Sequence, residues 1–163
     1  NTVMDMRNMS IGFSDSESFT GFILPYVMLK ERGIDPDGFF KKIVFTGSHD
    51  RSIIAVELGL VEAAAVHSIV LKSAEREDAL LGGRLREIWS SDSYGPPPVI
   101  VSTRLSKGFA DSLERAFLNL DRDSEGRSIL AAVGMTRFVP AREADYLSAV
   151  NLYQRFGLMK EKK

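Results

Sequence analysis

The stretch Met9-Ser10-Ile11-Gly12-Phe13-Ser14-Asp15-Ser16-Glu17-Ser18-Phe19-Thr20-Gly21-Phe22-Ile23-Leu24-Pro25-Tyr26-Val27-Met28-Leu29 changes its hydrophobic period partway along. Met9 to Phe13 is a short apolar run and reads as a strand. Phe19, Phe22, Ile23, Tyr26 and Leu29 then recur at helical spacing, and Gly33 predicts the helix end. A strand that passes through a hydroxyl-rich turn into a helix is the opening of a β-α-β unit.

The same grammar continues downstream. Ile43 to Phe45 reads as the next strand. Ser48 reads as an N-cap, with Asp50 in the first turn, Ile53, Val56 and Leu60 on one face, and Gly59 at the stop. Ala63 to Val66 reads as a small-residue strand, Ile69 to Leu81 as a helix halted by Gly82-Gly83, and Leu85 to Trp89 as a further strand. Strands alternating with helices imply an α/β fold with a mostly parallel sheet flanked by helices. Ser90 to Pro98 is rich in Ser, Asp, Gly and Pro and reads as a crossing segment. Beyond it come one expected strand, Val99 to Ser102, and then helices. Ser106 caps a helix with the stripe Phe109, Leu113, Phe117 and Leu120. Ser124 caps a second, ending at Gly134, and a third from near Ala141 carries Leu147, Val150 and Tyr153. The expected division is a lobe over residues 1–90, a hinge over 91–98, and a C-terminal part over 99–163 whose helices need a sheet to cover.

Composition excludes several classes. Lys plus Arg number 21 and Asp plus Glu 22, so the net charge is −1, without the basic excess of a nucleic-acid binder. There is no cysteine, so disulfides, zinc–thiolate sites and thiol nucleophiles are excluded. The longest apolar run, Phe22 to Leu29, holds Pro25 and is far short of the ~20 residues of a spanning helix. The chain opens on Asn1 with no charged-then-apolar leader, so a signal peptide, if encoded, is expected upstream.

In parallel sheets ligands gather at the carboxyl ends of strands, where helix N-termini also point. Three such junctions are expected: Ser14 to Gly21, Thr46-Gly47-Ser48-His49-Asp50, and His67-Ser68. All carry hydroxyls, and both histidines of the chain lie in them. Pro25 lacks an N–H and clashes with the preceding turn, so a regular helix should not extend far upstream. The N–H groups around Ser18 to Phe22 should then lack intrahelical partners and suit an anion, with Ser18 and Thr20 adding hydroxyls and Gly21 allowing close approach. The alternative is an ordinary Ser/Thr cap. His49 either donates to an anion from the first turn of its helix or is a surface cap. His67 either joins it or is satisfied by neighbouring backbone.

Three lookalikes fail. Ser48, His49 and Asp50 are consecutive on a helix and cannot face one another as a triad. Two histidines without a carboxylate pattern make a poor metal site. Asp121-Arg122-Asp123-Ser124-Glu125-Gly126 mimics a calcium loop, but its twelfth position is Ala132, where a bidentate Glu is needed.

Taken in order, these junctions resemble the periplasmic substrate-binding proteins of phosphonate, phosphite and phosphate-type ABC transporters. Ser18-Phe19-Thr20-Gly21-Phe22-Ile23-Leu24-Pro25 is similar to the family's Ser-Thr-Ser-Gly segment with its downstream Pro. Phe45-Thr46-Gly47-Ser48-His49-Asp50 is similar to the second segment, and Val61 to Ser68 to the third. Ile88-Trp89-Ser90-Ser91 with Pro97-Pro98-Val99 resembles the return crossing, and Gly134 to Pro140 with Tyr146 the C-terminal signature.

The resemblance implies the second lobe of a type II periplasmic-binding-protein fold, plus C-terminal helices of an incomplete first lobe. It implies that Ser18, Phe19, Thr20 and Gly21 cradle an oxyanion, that Ser48 and His49 serve a second oxygen, and that His67 and Ser68 complete the site. Phe19 stands where the family has a hydroxyl residue, and His67 where it often has Asp. The implied function is extracytoplasmic binding of a small phosphorus oxyanion for an importer permease, with no catalysis, cofactor or metal. A sensor module on the same fold and a small Ser/His hydrolase are the alternatives. The uncovered C-terminal helices lead us to expect self-association, a homodimer through those helices.

Overall fold

The computed structural model describes residues 2–161, and Asn1, Lys162 and Lys163, the ends of the expected lobes, lie outside the described residues. It divides into two compact units. One takes the residues up to Ser93 together with those from Val150 onward; the other is Tyr94–Ala149.

The first unit is built on a three-stranded parallel sheet of β1 (Ser10–Phe13), β2 (Lys42–Phe45) and β3 (Ala63–Ala64), in the order β2-β1-β3. Ile11 sits opposite Ile43 on one side and Ala63 on the other. All four residues of β1 are buried, because it is the central strand, whereas β2 begins and ends exposed. Parallel order puts the carboxyl ends of all three strands on one edge, which is where the three hydroxyl-rich junctions leave the sheet.

Each strand feeds a helix. α1 (Leu24–Glu31) follows the first turn and buries Leu24, Tyr26, Val27 and Leu29. A short α2 (Pro36–Phe39) precedes β2. α3 (His49–Glu57) starts at the N-cap Ser48, whose side chain accepts from the Arg51 N–H at 3.2 Å. Gly33 and Gly59 follow α1 and α3 in the left-handed conformation, as expected of helix-stopping glycines. Phe13 packs edge-on to Phe22 at 5.1 Å, and Phe13, Ile23 and Val27 are almost wholly buried. Burial of such side chains, at about 1.5–3 kcal/mol each, is what holds helix to sheet.

Several expectations need correction. The helix expected from Ile69 to Leu81 is instead α4 (Ser68–Glu77), and a separate short α5 (Leu81–Arg84) contains Gly82 and Gly83. Asp78 causes the break, because its carboxylate accepts from the Leu80 N–H at 2.9 Å and competes with the helix. Leu85 to Trp89 is not a strand; Trp89 lies instead under the Arg32 guanidinium, 5.2 Å from ring centre to cation. Val99 to Ser102 is not a strand either, and Ile100 is 84% exposed. Val99 to Val101 has β-branched side chains, but among the described residues no strand pairs with either segment.

The second unit holds α6 (Lys107–Leu118), capped by Ser106 as expected, and α7 (Ser124–Ala132). The cap of α7 is Asp123 rather than Ser124: its carboxylate accepts from the Gly126 N–H at 2.7 Å. Phe117 meets Phe138 edge-to-face at 4.9 Å. α8 (Leu147–Glu161) starts later than the expected Ala141, after a 3-10 turn at Glu143–Asp145. Among the described residues no helix is long and apolar enough to cross a membrane.

Candidate functional site

Pro25 leaves its mark on the first junction. With no N–H at Pro25, the Gly21 carbonyl loses its helical partner and accepts instead from the Ser14 N–H at 3.3 Å, at the end of β1. The turn ahead of α1 widens into a π-helical turn, Phe19–Ile23. The Ser18 carbonyl accepts from both Phe22 and Ile23 N–H at 3.0 Å, and the Ser18 hydroxyl oxygen accepts from Gly21 N–H at 3.1 Å. The Ser18 N–H is itself used, donating to the Asp15 carbonyl at 3.2 Å.

The expectation of open N–H groups from Ser18 to Phe22 is therefore corrected at three of its five positions, because the N–H groups of Ser18, Gly21 and Phe22 are all bonded. The Thr20 N–H carries no hydrogen bond among the described residues. Gly21 earns its place by closeness: a Cβ there would lie 1.8 Å from Ser14 Oγ and 2.9 Å from Ser18 Oγ.

The three junctions converge. Thr20 Oγ1 lies 3.4 Å from His49 Nε2, which ties the first to the second. The His67 backbone N–H donates to His49 Nδ1 at 3.2 Å, which ties the second to the third. The two imidazole rings lie 6.0 Å apart at 71°. His67 is the N-cap of α4, its Nδ1 accepting from the Ile69 N–H at 3.1 Å.

These bonds fix both tautomers. Each Nδ1 already accepts a backbone N–H, so in the neutral ring each Nε2 carries the proton and donates. Protonating either Nδ1 would break a bond. Burial pushes the pKa of His49 down, the neighbouring His67 pushes it further, and Asp50 opposes weakly; burial alone lowers that of His67. The backbone-satisfied reading of His67 is correct for Nδ1 and leaves Nε2–H to spare. Likewise Ser48 is an ordinary cap whose O–H remains a donor, and Ser68 is exposed in the first turn of α4.

Two residues escaped the sequence reading. Thr46 Oγ1 lies within hydrogen-bond reach of the carbonyls of Phe13 at 3.2 Å and Ser48 at 3.0 Å and of Ser52 Oγ at 2.6 Å, pinning the end of β1 to the start of α3. Ser14 is buried, and its hydroxyl has no partner among the described residues. Both sit in quoted hydroxyl-rich junctions, but nothing in sequence separates a pinning hydroxyl from a binding one. Among the described residues no group of three or more His, Asp or Glu side chains could hold a metal.

A parallel sheet flanked by helices, with neutral donors gathered at the carboxyl edge of its strands, matches the fold of solved periplasmic binding proteins, and the comparisons give the same class. The family model for the ABC transporter phosphonate periplasmic substrate-binding protein matches residues 1–146, so the chain belongs to that family. It is 26% identical over 147 residues to a probable ABC transporter phosphite-binding protein, PhnD1, of Prochlorococcus marinus, covering 86% of this chain and 50% of that one. It is 27% identical over 124 residues to the phosphate-import protein PhnD of Mycolicibacterium smegmatis, covering 72% of this chain and 39% of that one. The solved structure of PhnD1 with methylphosphonate superposes with a TM-score of 0.79 at 23% identity, over 94% of this chain and 58% of that one. The chain thus spans half or less of the length of these two curated relatives.

Proposed function

We propose that this chain is the ligand-binding lobe of a solute-binding protein that holds a small phosphorus oxyanion outside the cytoplasm and presents it to an ABC importer permease, without transforming it. The convergence of Thr20, His49 and His67 at the carboxyl edge of the sheet supports this most directly. The donors on offer are the Thr20 N–H, the hydroxyls of Ser18, Thr20 and Ser48, and Nε2–H of His67, while Nε2–H of His49 is shared with Thr20 Oγ1 at 3.4 Å. Ser68 adds a hydroxyl at the rim.

None of Ser18, Phe19, Thr20, Gly21, Ser48, His49, His67 or Ser68 is a Lys or Arg. Neutral, pre-oriented dipoles can replace the water shell of an anion without neutralising it, which suits a ligand that must later be released. The names of the relatives supply the phosphorus class: phosphite, phosphate and methylphosphonate.

A thermal-shift and titration panel of phosphate, phosphite, methylphosphonate and aminoethylphosphonate tests the reading, beside a generic esterase and phosphatase assay. The expected result is saturable stabilisation by at least one phosphorus anion that is lost in His49→Ala, with no turnover. Stabilisation by none of the four, or turnover abolished by His49→Ala, would overturn it.

A further inference from the structure

We propose that Tyr153, on α8, is a positioning residue for the anion-binding turn, acting together with Phe19. The inference rests on the reading of the Ser18 to Gly21 turn as the oxyanion cradle. Tyr153 grips the two residues that flank Ser18. Its hydroxyl donates to the Glu17 carbonyl at 3.0 Å, and its ring stacks on that of Phe19 at 5.8 Å and 16°. Ser18 in turn supplies the acceptors that hold Gly21, Phe22 and Ile23. One ring therefore fixes both ends of the residue on which the turn is built.

The helix that carries Tyr153 is itself anchored to the element the turn leads into. Phe156 packs edge-on against Phe22 at 5.9 Å and Tyr26 at 5.6 Å. Leu152 is fully buried, and Arg155 pairs with Glu31 of α1 at 3.3 Å. Turn, α1 and this part of α8 thus form one packed body. The family match stops at residue 146, short of Tyr153. Phe19 supplies the ring on which Tyr153 stacks. The gain is pre-organisation: an ordered turn does not have to be ordered again when the anion arrives.

Amide hydrogen exchange and phosphate titration on the full chain, with Tyr153→Phe and Tyr153→Ala, test this. In Tyr153→Ala the Gly21, Phe22 and Ile23 amides should exchange about tenfold faster while Ile11 to Phe13 stay unchanged, a local loosening rather than global destabilisation. Tyr153→Phe keeps the stack and should fall between. The phosphate dissociation constant should rise about three- to tenfold in Tyr153→Ala as the cost of ordering the turn returns. Unchanged exchange, equal acceleration in β1, or unchanged affinity despite a loosened turn would each overturn the proposal. A wild-type chain that takes up no phosphate would overturn the binding reading instead, and the exchange data alone would then decide whether Tyr153 positions the turn.

Discussion

A side chain at Gly21 would collide at once with Ser14, its Cβ falling 1.8 Å from Ser14 Oγ. The missing Cβ of Gly21 is what lets Ser14, Ser18 and the π-turn meet, so Gly21→Ala should cost about 1–3 kcal/mol by overpacking, measured as a lowered urea midpoint. Ser14→Ala removes the oxygen that the new methyl would strike and should restore part of that loss. Alone, Ser14→Ala deletes a buried hydroxyl that has no protein partner, so it should be neutral or stabilising. The histidines give a pH prediction at the same scale. Their folded pKa values lie below the ordinary value of 6.5, so the unfolded chain binds protons more readily and acidification favours unfolding. Their contribution is complete above pH 6.5 and is lost as the pH falls through the folded values. Thermal melts from pH 7.5 to 5 should decline less steeply in His49→Asn than in wild type. The histidines and hydroxyls that the structure brings together were legible in sequence because they lie in strand-to-helix junctions. Their wiring was not, since His67 N–H to His49 Nδ1 depends on the sheet register that sets β3 beside β1.

At the scale of elements, β1, β2 and the starts of α3 and α6 were readable from local period and capping, whereas the strand expected from Ala63 to Val66 is only Ala63–Ala64. The misread segments lacked that local closure. Val99-Ile100-Val101 is β-branched throughout, yet a strand is defined by a neighbour, and among the described residues none pairs with it. The π-turn was half legible: Pro25 predicts a disturbed helix, but not that Ser18 would take up the freed donors. β3 is only two residues long, and Glu62 pins its start to β1. The Glu62 carboxylate accepts from the Ser10 N–H at 2.7 Å and from the Ser10 hydroxyl, while the Glu62 N–H donates to the Ser10 carbonyl at 3.2 Å. The Ser10 hydroxyl and N–H, with a smaller share from Lys41, hold the Glu62 pKa down at about 2. A depressed carboxylate stabilises the fold above its unfolded pKa and loses that effect as pH falls through the folded value. Glu62→Gln should therefore lower stability at neutral pH and flatten the acid limb between about pH 4.5 and 2, followed by circular dichroism.

At the scale of the whole molecule, the chain holds one sheet edge of donors and spans half or less of the length of its two curated relatives. An oxyanion held from one side still meets water on the other, so we expect millimolar rather than micromolar affinity, a difference of roughly 4 kcal/mol. Submicromolar calorimetric binding would show that this chain supplies a complete site. Apolar side chains stand exposed on the C-terminal helices, among them Phe109 at 54%, Leu147 at 50% and Val150 at 48%. Exposed apolar side chains on helices favour association, so sedimentation velocity should show a concentration-dependent dimer. A single 18 kDa species that binds no apolar dye would count against it.

The convergence of three strand ends on one anion is the central claim, and a ¹⁵N-resolved NMR titration with phosphate tests it most directly. The account predicts saturable shifts of the Thr20 amide and of the Nε2–H protons of His49 and His67, all following one binding curve. Shifts confined to other residues, or a titration that leaves these three groups unmoved, would contradict it.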